Sequence, residues 1–287
     1  MIINWYPGHM AKAKRLIQEN LKIIDVVIEL VDARIPMSST NPMIKSLIGD
    51  KPSVVVLNKA DLADPAVLDE WVAYYKQQGR KVLALNSKGG KGVKQLISLV
   101  RSLAAPKLAR WKARGLKNRA VRTMILGIPN VGKSTLINKL SRRSAAKTAD
   151  KPGETKGKQW VHIGDQLDLL DTPGVLWPKL ENQVSAYRLA ATGAISDTVF
   201  DMETVIMQLI EQLSAQSPDE LKARYKLETL CDKPLDTIEA IGRKRGCIVS
   251  GGVVDLEKTY KLILKEFREG KIGAISLDRL GEWEGED

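Results

Sequence analysis

Eight consecutive residues constrain this chain more than any others: Gly-Ile-Pro-Asn-Val-Gly-Lys-Ser at 127–134. They fit G-x-x-x-x-G-K-[ST], a loop whose backbone N–H groups close around phosphate oxygens. Context turns the pattern into a site. Ala120 to Leu126 reads as a short buried strand and Ser134 to Leu140 as the opening of a helix, so the loop lies strand–loop–helix. The helix N-terminus adds the positive end of its dipole. Lys133 in this arrangement reaches the β- and γ-phosphates, and the Ser134 hydroxyl holds Mg²⁺. Pro129, Asn130, Val131, Gly132 and Thr135 complete the nucleotide contacts.

The residues before the loop alternate strand and helix. Residues 10–22 read as a basic amphipathic helix, and Ile23 to Val31 as a β-branched strand ending at Asp32-Ala33-Arg34. Asn41 to Ile48 is a short helix with Pro42 in its first turn, and Ser53 to Leu57 is a buried strand. Pro65 to Gln78 is a helix closed by Gly79, Lys81 to Leu85 a strand, and Val93 to Ala104 a helix. Such alternation predicts βαβ units and a mostly parallel sheet with helices on both faces. After the loop, Gln159 to Ile163 and Leu167 to Leu170 flank Gly164-Asp165 as a hairpin. Beyond Pro178 strands give way to helical patterns up to about Gly270. The organisation predicted is an α/β domain over 1–178 and an all-helical domain over 179–287.

The net charge of +11 and an isoelectric point near 9.5 favour a polyanionic partner. Residues 101–122 carry Arg101, Lys107, Arg110, Lys112, Arg114, Lys117, Arg119 and Arg122 and no acidic residue. They read as a connecting segment, either a phosphate-contacting surface or a solvated linker. The two cysteines, Cys231 and Cys247, lack metal-ligand spacing, and a reducing, cytoplasmic setting is expected. Trp5-Tyr6-Pro7-Gly8-His9 interrupts any apolar run at the start, and no apolar stretch approaches membrane-spanning length, so no membrane partner is expected.

Three further stretches sharpen the nucleotide reading. Asp171-Thr172-Pro173-Gly174 ends a strand downstream of the loop, where a metal-side Asp171 and a γ-phosphate-sensing Gly174 N–H belong. Thr155, between the two, can supply a second Mg²⁺ hydroxyl. Asn58-Lys59-Ala60-Asp61 ends another strand. Asp61 there can accept from both the N1–H and the exocyclic amine of guanine, a pair that adenine lacks. Asn58 can bond the base or lock the phosphate loop, and the Lys59 stem can lie along the ring. In open α/β sheets ligands sit at this carboxyl edge.

Together these stretches resemble the motifs of translation-factor-type GTPases, in a changed order. The Asn58-Lys59-Ala60-Asp61 turn and the Asn86-Ser87-Lys88 loop precede the P-loop here, and the switch motifs follow it. The chain thus resembles the circularly permuted GTPases. With Trp5-Tyr6-Pro7-Gly8-His9-Met10 and a helical C-terminal part, it resembles the ribosome-biogenesis GTPase A (YlqF-like) family over nearly its whole length. The resemblance implies GTP and GDP as ligands, GTP hydrolysis, and ribosomal RNA and the large ribosomal subunit or its precursor as partners. A monomer is expected. Because the DTPG motif ends the domain, movement at the γ-phosphate can pass directly into the C-terminal helices.

Many GTPases follow this motif with a Gln that orients the attacking water. Here Val175 follows, and an apolar side chain cannot position water. Hydrolysis is therefore expected to be slow alone and stimulated by the ribosomal particle, or else the chain is a non-hydrolysing scaffold. His9, beside Pro7-Gly8, is the candidate catalytic group; a packing or helix-cap role is the alternative. His162, within a strand, reads as structural. Asn130 is the residue type that potassium-activated GTPases use to hold K⁺ beside the phosphates; the alternative is a simple Pro129-Asn130 turn.

In the C-terminal part, Leu256, Tyr260, Ile263 and Phe267 repeat at helical spacing as a core stripe. Lys258, Lys261, Lys265 and Arg268 form a second stripe, with Arg243-Lys244-Arg245 upstream. This is a candidate RNA-binding face, although Glu257, Glu266 and Glu269 partly neutralise it. An anionic membrane surface is the competing partner. The absence of lipidation motifs and of a Trp/Phe-rich basic helix counts against that.

Overall fold

A computed structural model describes the backbone of residues 7–115, 119–145, 160–170, 172 and 182–283, and the side chains of all of these except 7–13 and 142–145. Five strands run parallel: β1 (Val26–Asp32), β2 (Ser53–Asn58), β3 (Lys81–Leu85), β4 (Val121–Gly127) and β6 (Leu167–Leu170). An antiparallel edge strand, β5 (Trp160–Ile163), pairs with β6. The order across the sheet is β3-β2-β1-β4-β6-β5. From β1 the chain adds β2 and β3 on one side, then returns to place β4 on the other. That reversal puts a topological switch point between β1 and β4, and it is at the carboxyl ends of such strands that open α/β sheets hold their ligands.

β1 is buried along its whole length, as a central strand covered on both faces must be. One face packs α1 (Pro7–Leu21) and α2 (Pro42–Ile48), with Ile17, Leu21, Ile44 and Ile48 against Val27, Met124 and Leu126. On this side α3 (Pro65–Gln77) sets Val67, Trp71 and Tyr75 against Val31, Val55 and Leu57. The opposite face packs α4 (Val93–Ala113) and α5 (Lys133–Ala145), with Leu96, Val100, Leu136 and Leu140 against Ile28, Leu30, Val56 and Ile125. This second core continues through the C-terminal helices α6 (Gln183–Thr192), α7 (Met202–Gln216), α8 (Pro218–Tyr225), α9 (Pro234–Lys244) and α10 (Leu256–Arg268). The apolar stripe of α10 is seated as its spacing implies, with Tyr260, Ile263 and Phe267 buried.

Local signals explain the element starts. Asn41 caps α2 through its side chain to the Met43 N–H, and Asp64 caps α3 through Ala66 and Val67, each ahead of a proline in the first turn. Two expectations need correction. The strand expected from Ile23 begins only at Val26, because Ile23 and Ile24 close the end of α1 with N–H bonds to Asn20 and Leu21 carbonyls. The helix expected to stop at Ala104 runs through Pro106 to Ala113. The first part of the segment expected as a linker is therefore helical. Tertiary contacts hold it: Lys107 pairs with the buried Asp25 at 2.6 Å, and Lys107 and Arg119 lie over the Trp111 ring.

After α10 the chain returns to the sheet. Ile275 N–H donates to the Leu62 carbonyl and Leu277 N–H to that of Arg34. Asp278 is fully buried; it accepts from the Ser38 N–H and hydroxyl at 2.8 and 2.7 Å and from Arg188 at 3.0 Å. The helical region is thus stitched to loops at the carboxyl edge of the sheet. The expected domain boundary falls within 173–181, outside the described residues.

Candidate functional site

The sequence motifs converge on that edge. β2 ends at Asn58, β3 runs into Asn86-Ser87-Lys88, β4 runs into the P-loop, and β6 ends at Leu170 beside the DTPG stretch. Asn58 joins three of them. Its side-chain amide donates to the Val131 carbonyl of the P-loop at 2.7 Å, and its carbonyl oxygen accepts from the Ser87 N–H at 3.1 Å. The residue is fully buried, so both bonds are made in a dry site. These two bonds are what one of the two roles open to Asn58, the lock on the loop, calls for. Gly132 makes the lock fit: its φ is 102°, and a Cβ there would stand 2.3 Å from the Asn58 amide nitrogen.

The P-loop itself is wrapped on its lysine. Lys133 Nζ donates to the Gly127 and Ile128 carbonyls at 3.1 and 2.7 Å. Ser134 and Thr135 stand exposed in the first turn of α5, and Pro129 is half-buried. Asn130 takes a left-handed backbone, φ 56°, which Asn tolerates better than most residues. Its side chain reaches out of the loop to the Gly193 carbonyl at the end of α6, 2.7 Å away.

The Asn58-Lys59-Ala60-Asp61 turn is held from below. Lys59, also left-handed at φ 60°, places Nζ 2.8 Å from Asp32, the last residue of β1. Arg34 grips the same carboxylate with two bonds, 2.9 and 2.8 Å. Burial works against the Asp32 charge, but Arg34 and Lys59 hold its carboxyl well below the usual carboxylate range. With its ammonium anchored there, the Lys59 stem spans the gap between β1 and the turn. Asp61 is exposed at the rim. Asn86 shapes its own loop, its side chain accepting from the Gly89 N–H at 2.6 Å, and Lys139 of α5 bonds the Lys88 carbonyl.

Other expected residues are placed less completely. Of the DTPG stretch only Thr172 is described; its hydroxyl donates to the Ile125 carbonyl of β4, tying the stretch to the P-loop strand. Thr155, Asp171, Gly174 and Val175 lie outside the described residues, and so does the His9 side chain, although His9 belongs to α1. His162 is exposed on the edge strand, 2.6 Å from Asp168 across the hairpin.

The basic stripe is corrected in two places. Arg268 does not stand with the lysines: it folds back to bond the Ala190 and Ala191 carbonyls and pairs with Asp197. Arg245 is drawn onto the buried Glu266, 2.6 Å away, beside Arg224. Lys258, Lys265 and Lys244 are exposed and form no close ion pair among the described residues, although Lys265 lies near enough to Glu269 to help hold that carboxyl below its ordinary value. Lys261 and Arg243 have only surface partners one turn away, Glu257 and Glu239. Sequence reasoning missed Asp32 and Arg34 as parts of the site. Two opposite charges closing an otherwise apolar strand at the carboxyl edge were the signal.

The family described as "50S ribosome-binding GTPase" matches residues 122–236. The ribosome biogenesis GTPase A of Priestia megaterium is 50% identical over 285 residues, 99% of each chain. The mitochondrial ribosome-associated GTPase 1 of Mus musculus is 32% identical, over 97% of this chain and 90% of the relative. A GDP-bound structure of Thermotoga maritima YlqF superposes with a TM-score of 0.68 at 27% identity, covering 93% of this chain and 100% of that one. A GNP-bound structure of the same protein gives 0.69 at 28%, covering 93% and 98%. Motif order, sheet topology and full-length identity agree, and the chain belongs to the ribosome biogenesis GTPase A family.

Proposed function

We propose that this chain is a GTP-hydrolysing switch of ribosome assembly that binds the maturing large subunit through ribosomal RNA in its GTP state. The observation that carries the reading is the junction at Asn58, where one buried amide ties the guanine turn, the 86–88 loop and the phosphate loop together. The relatives' names support the assembly role, and the description of the matching family supports the large subunit. The switch works as a cytoplasmic monomer, with residues 1–178 holding nucleotide and 179–287 meeting the particle.

Asp61 reads guanine, and Lys59 backs the base with its ammonium anchored on Asp32. Magnesium fits the donor set. Ser134 offers a hydroxyl in the first turn of α5, and no group of three or more His, Cys, Asp or Glu side chains forms a protein cage among the described residues. An ion that keeps waters and phosphate oxygens as ligands needs few protein donors. Thr155 and Asp171 complete its protein ligands. The bound ion would neutralise charge on the β- and γ-phosphates. With the Asn130 amide nitrogen committed to Gly193, its side-chain oxygen is the atom for K⁺.

GTP turnover with and without purified large ribosomal subunits tests the reading. Unaided turnover should be slow, about 10⁻⁴ per second or below, and should rise with subunits. Equal rates in both would overturn the particle-stimulated switch. His9→Ala should lower the stimulated kcat and spare GTP affinity. Asp61→Asn should shift preference from GTP toward xanthosine triphosphate by about 2–5 kcal/mol. Exchange of KCl for NaCl should slow turnover, and equal rates in the two salts would remove K⁺ from the site.

A further inference from the structure

A helix leaves its last carbonyls without partners inside the helix. At the end of α6 four successive carbonyls, Ala190 to Gly193, are each taken by a side chain from elsewhere. Arg268 of α10 donates to Ala190 at 2.7 Å and Ala191 at 3.1 Å. Arg34, after β1, reaches the Thr192 carbonyl at 3.4 Å while its guanidinium lies 5.5 Å from the centre of the Phe267 ring. Asn130 of the P-loop donates to Gly193 at 2.7 Å. Gly193 has φ 84° and closes the helix by its N–H to the Ala190 carbonyl, while Ala194 N–H bonds that of Leu189. A Cβ on Gly193 would stand 3.3 Å from Arg268 Nε, so the glycine is also what lets the arginine close.

We propose that Arg268 is a positioning residue for GTP hydrolysis, acting through the end of α6 on Asn130 of the P-loop. Asn130 is the exposed residue of an otherwise buried or half-buried loop, and the one described anchor of its side chain is the Gly193 carbonyl. The turn carrying that carbonyl is held by Arg268, whose fork also grips Asp197 beyond the helix at 2.8 and 3.1 Å. A planar guanidinium with several fixed donors can hold helix end and following loop at once, and its charge suits the negative end of the helix dipole. The C-terminal helices therefore set the orientation of a P-loop side chain. The coupling is reciprocal in binding: displacement of α10 bears on the nucleotide, and the nucleotide bears on α10. This inference rests on GTP hydrolysis at the P-loop and not on the identity of the ribosomal partner.

The test is a double-mutant cycle in the full chain, with Arg268→Ala and Asn130→Ala made singly and together. GTP kcat/KM, the Kd for GDP and the melting temperature are read for each. Arg268→Ala should lower kcat/KM about tenfold, as loss of a charge-assisted bond network does. In the Asn130→Ala background the same substitution should change kcat/KM less than about twofold, while its effect on melting temperature stays the same in both backgrounds. A merely structural arginine would give the full loss in both backgrounds, and that outcome overturns the proposal. If Arg268→Ala does not fold, Asp197→Asn loosens the same guanidinium and should show the same dependence on Asn130 with a smaller loss. The Kd cycle reads the coupling independently of turnover, so failure of hydrolysis in the unmutated protein would count against the GTPase reading and not against the coupling.

Discussion

The sheet half and the C-terminal helices spend their positive charge differently. In the sheet half both lysines and arginines are drawn onto buried carboxylates. Lys107 and Arg119 bind Asp25, Arg80 binds Glu29, and Arg34 and Lys59 bind Asp32. Among the helices it is the arginines that turn inward: Arg188 to Asp278, Arg224 and Arg245 to Glu266, Arg268 to the end of α6. The lysines of α10 stay in water. A guanidinium tolerates desolvation and bonds in several directions, whereas an ammonium stays strongly hydrated. The lesson is that charge density along the chain is a poor guide to a polyanion surface. The 101–122 segment is the most uniformly basic, yet Lys107 and Arg119 are already used there, and among the described residues Arg101, Arg110, Lys112 and Arg114 stand exposed without a carboxylate partner on or beside α4.

The comparison breaks first, if it breaks, at Asp32. Asp32→Ala would leave Arg34 buried without its counter-charge, a change that costs about 3–5 kcal/mol. Lys258→Ala, on the exposed side, should stay within about 0.5 kcal/mol. Urea unfolding of both variants measures the contrast, and a cost below about 1 kcal/mol for Asp32→Ala would mean the buried cluster is not what organises the edge. Acid supports the same point. Arg34 and Lys59 depress the Asp32 carboxyl in the folded state. Its stabilisation is therefore fully present above the unfolded value of about 3.9 and is lost as pH falls below that. Asp32→Asn should flatten this part of the acid limb.

Asn58→Ala comes next. It strips a buried partner from both Val131 and Ser87 and should cost about 2–3 kcal/mol of stability. It should also weaken GDP binding, because the P-loop and the 86–88 loop lose their common anchor. A loss of stability with nucleotide affinity unchanged would reduce the junction to ordinary packing.

How far these contrasts were legible in the sequence depends on range. Strands β2 and β3 and helices α2 and α3 follow from local chemistry: β-branched runs, a capping Asn41 or Asp64, a proline in the first turn. The motifs gather at one edge of the sheet because each follows a parallel strand. What stayed hidden is non-local. Nothing near Arg34 in sequence points to Thr192, 158 residues on, nor near Asn130 to Gly193, 63 residues on. Arg268 keeps perfect helical spacing with three lysines and still faces elsewhere, because periodicity fixes the side of a helix and not what meets it. The helix expected to end at Ala104 likewise runs on through Pro106, because contacts outside the helix offset the N–H bond that the proline lacks.

Trp111 sharpens the sheet half of the comparison on a smaller scale. Its ring lies 3.8 Å from the Arg119 guanidinium and 5.1 Å from Lys107 Nζ, which both serve Asp25. Trp111→Leu keeps an apolar surface but removes the ring's attraction for cations, about 1 kcal/mol. Thermal unfolding reads it. A variant as stable as the unmutated chain would show that Asp25 alone holds the end of α4.

The smallest change in stability should come with a large change in salt dependence, on the other side of the comparison. Lys258 and Lys265 are exposed on α10 and make no close ion pair among the described residues, Lys265 only lying within reach of the Glu269 charge, whereas Lys261 is paired directly with Glu257 one turn before it. A lysine that is already neutralised by a neighbour releases fewer counterions when it meets a phosphate. Each free lysine engaged by RNA should contribute about 0.7 to 0.9 to the slope of log affinity against log salt. Replacing Lys258 and Lys265 by alanine should therefore shallow the slope by about 1.5, and adding Lys261→Ala should take less than about 0.7 more. Stability should stay within about 0.5 kcal/mol throughout, since all three side chains are exposed and the Lys261–Glu257 pair is a surface pair. Co-sedimentation with large ribosomal subunits across a salt series, in a non-hydrolysable GTP analogue, gives the slopes. Equal contributions from all three lysines would mean that the Glu257 pair opens on docking. No contribution from any of them would return α10 to the solvent and move the RNA contact to the exposed arginines of α4.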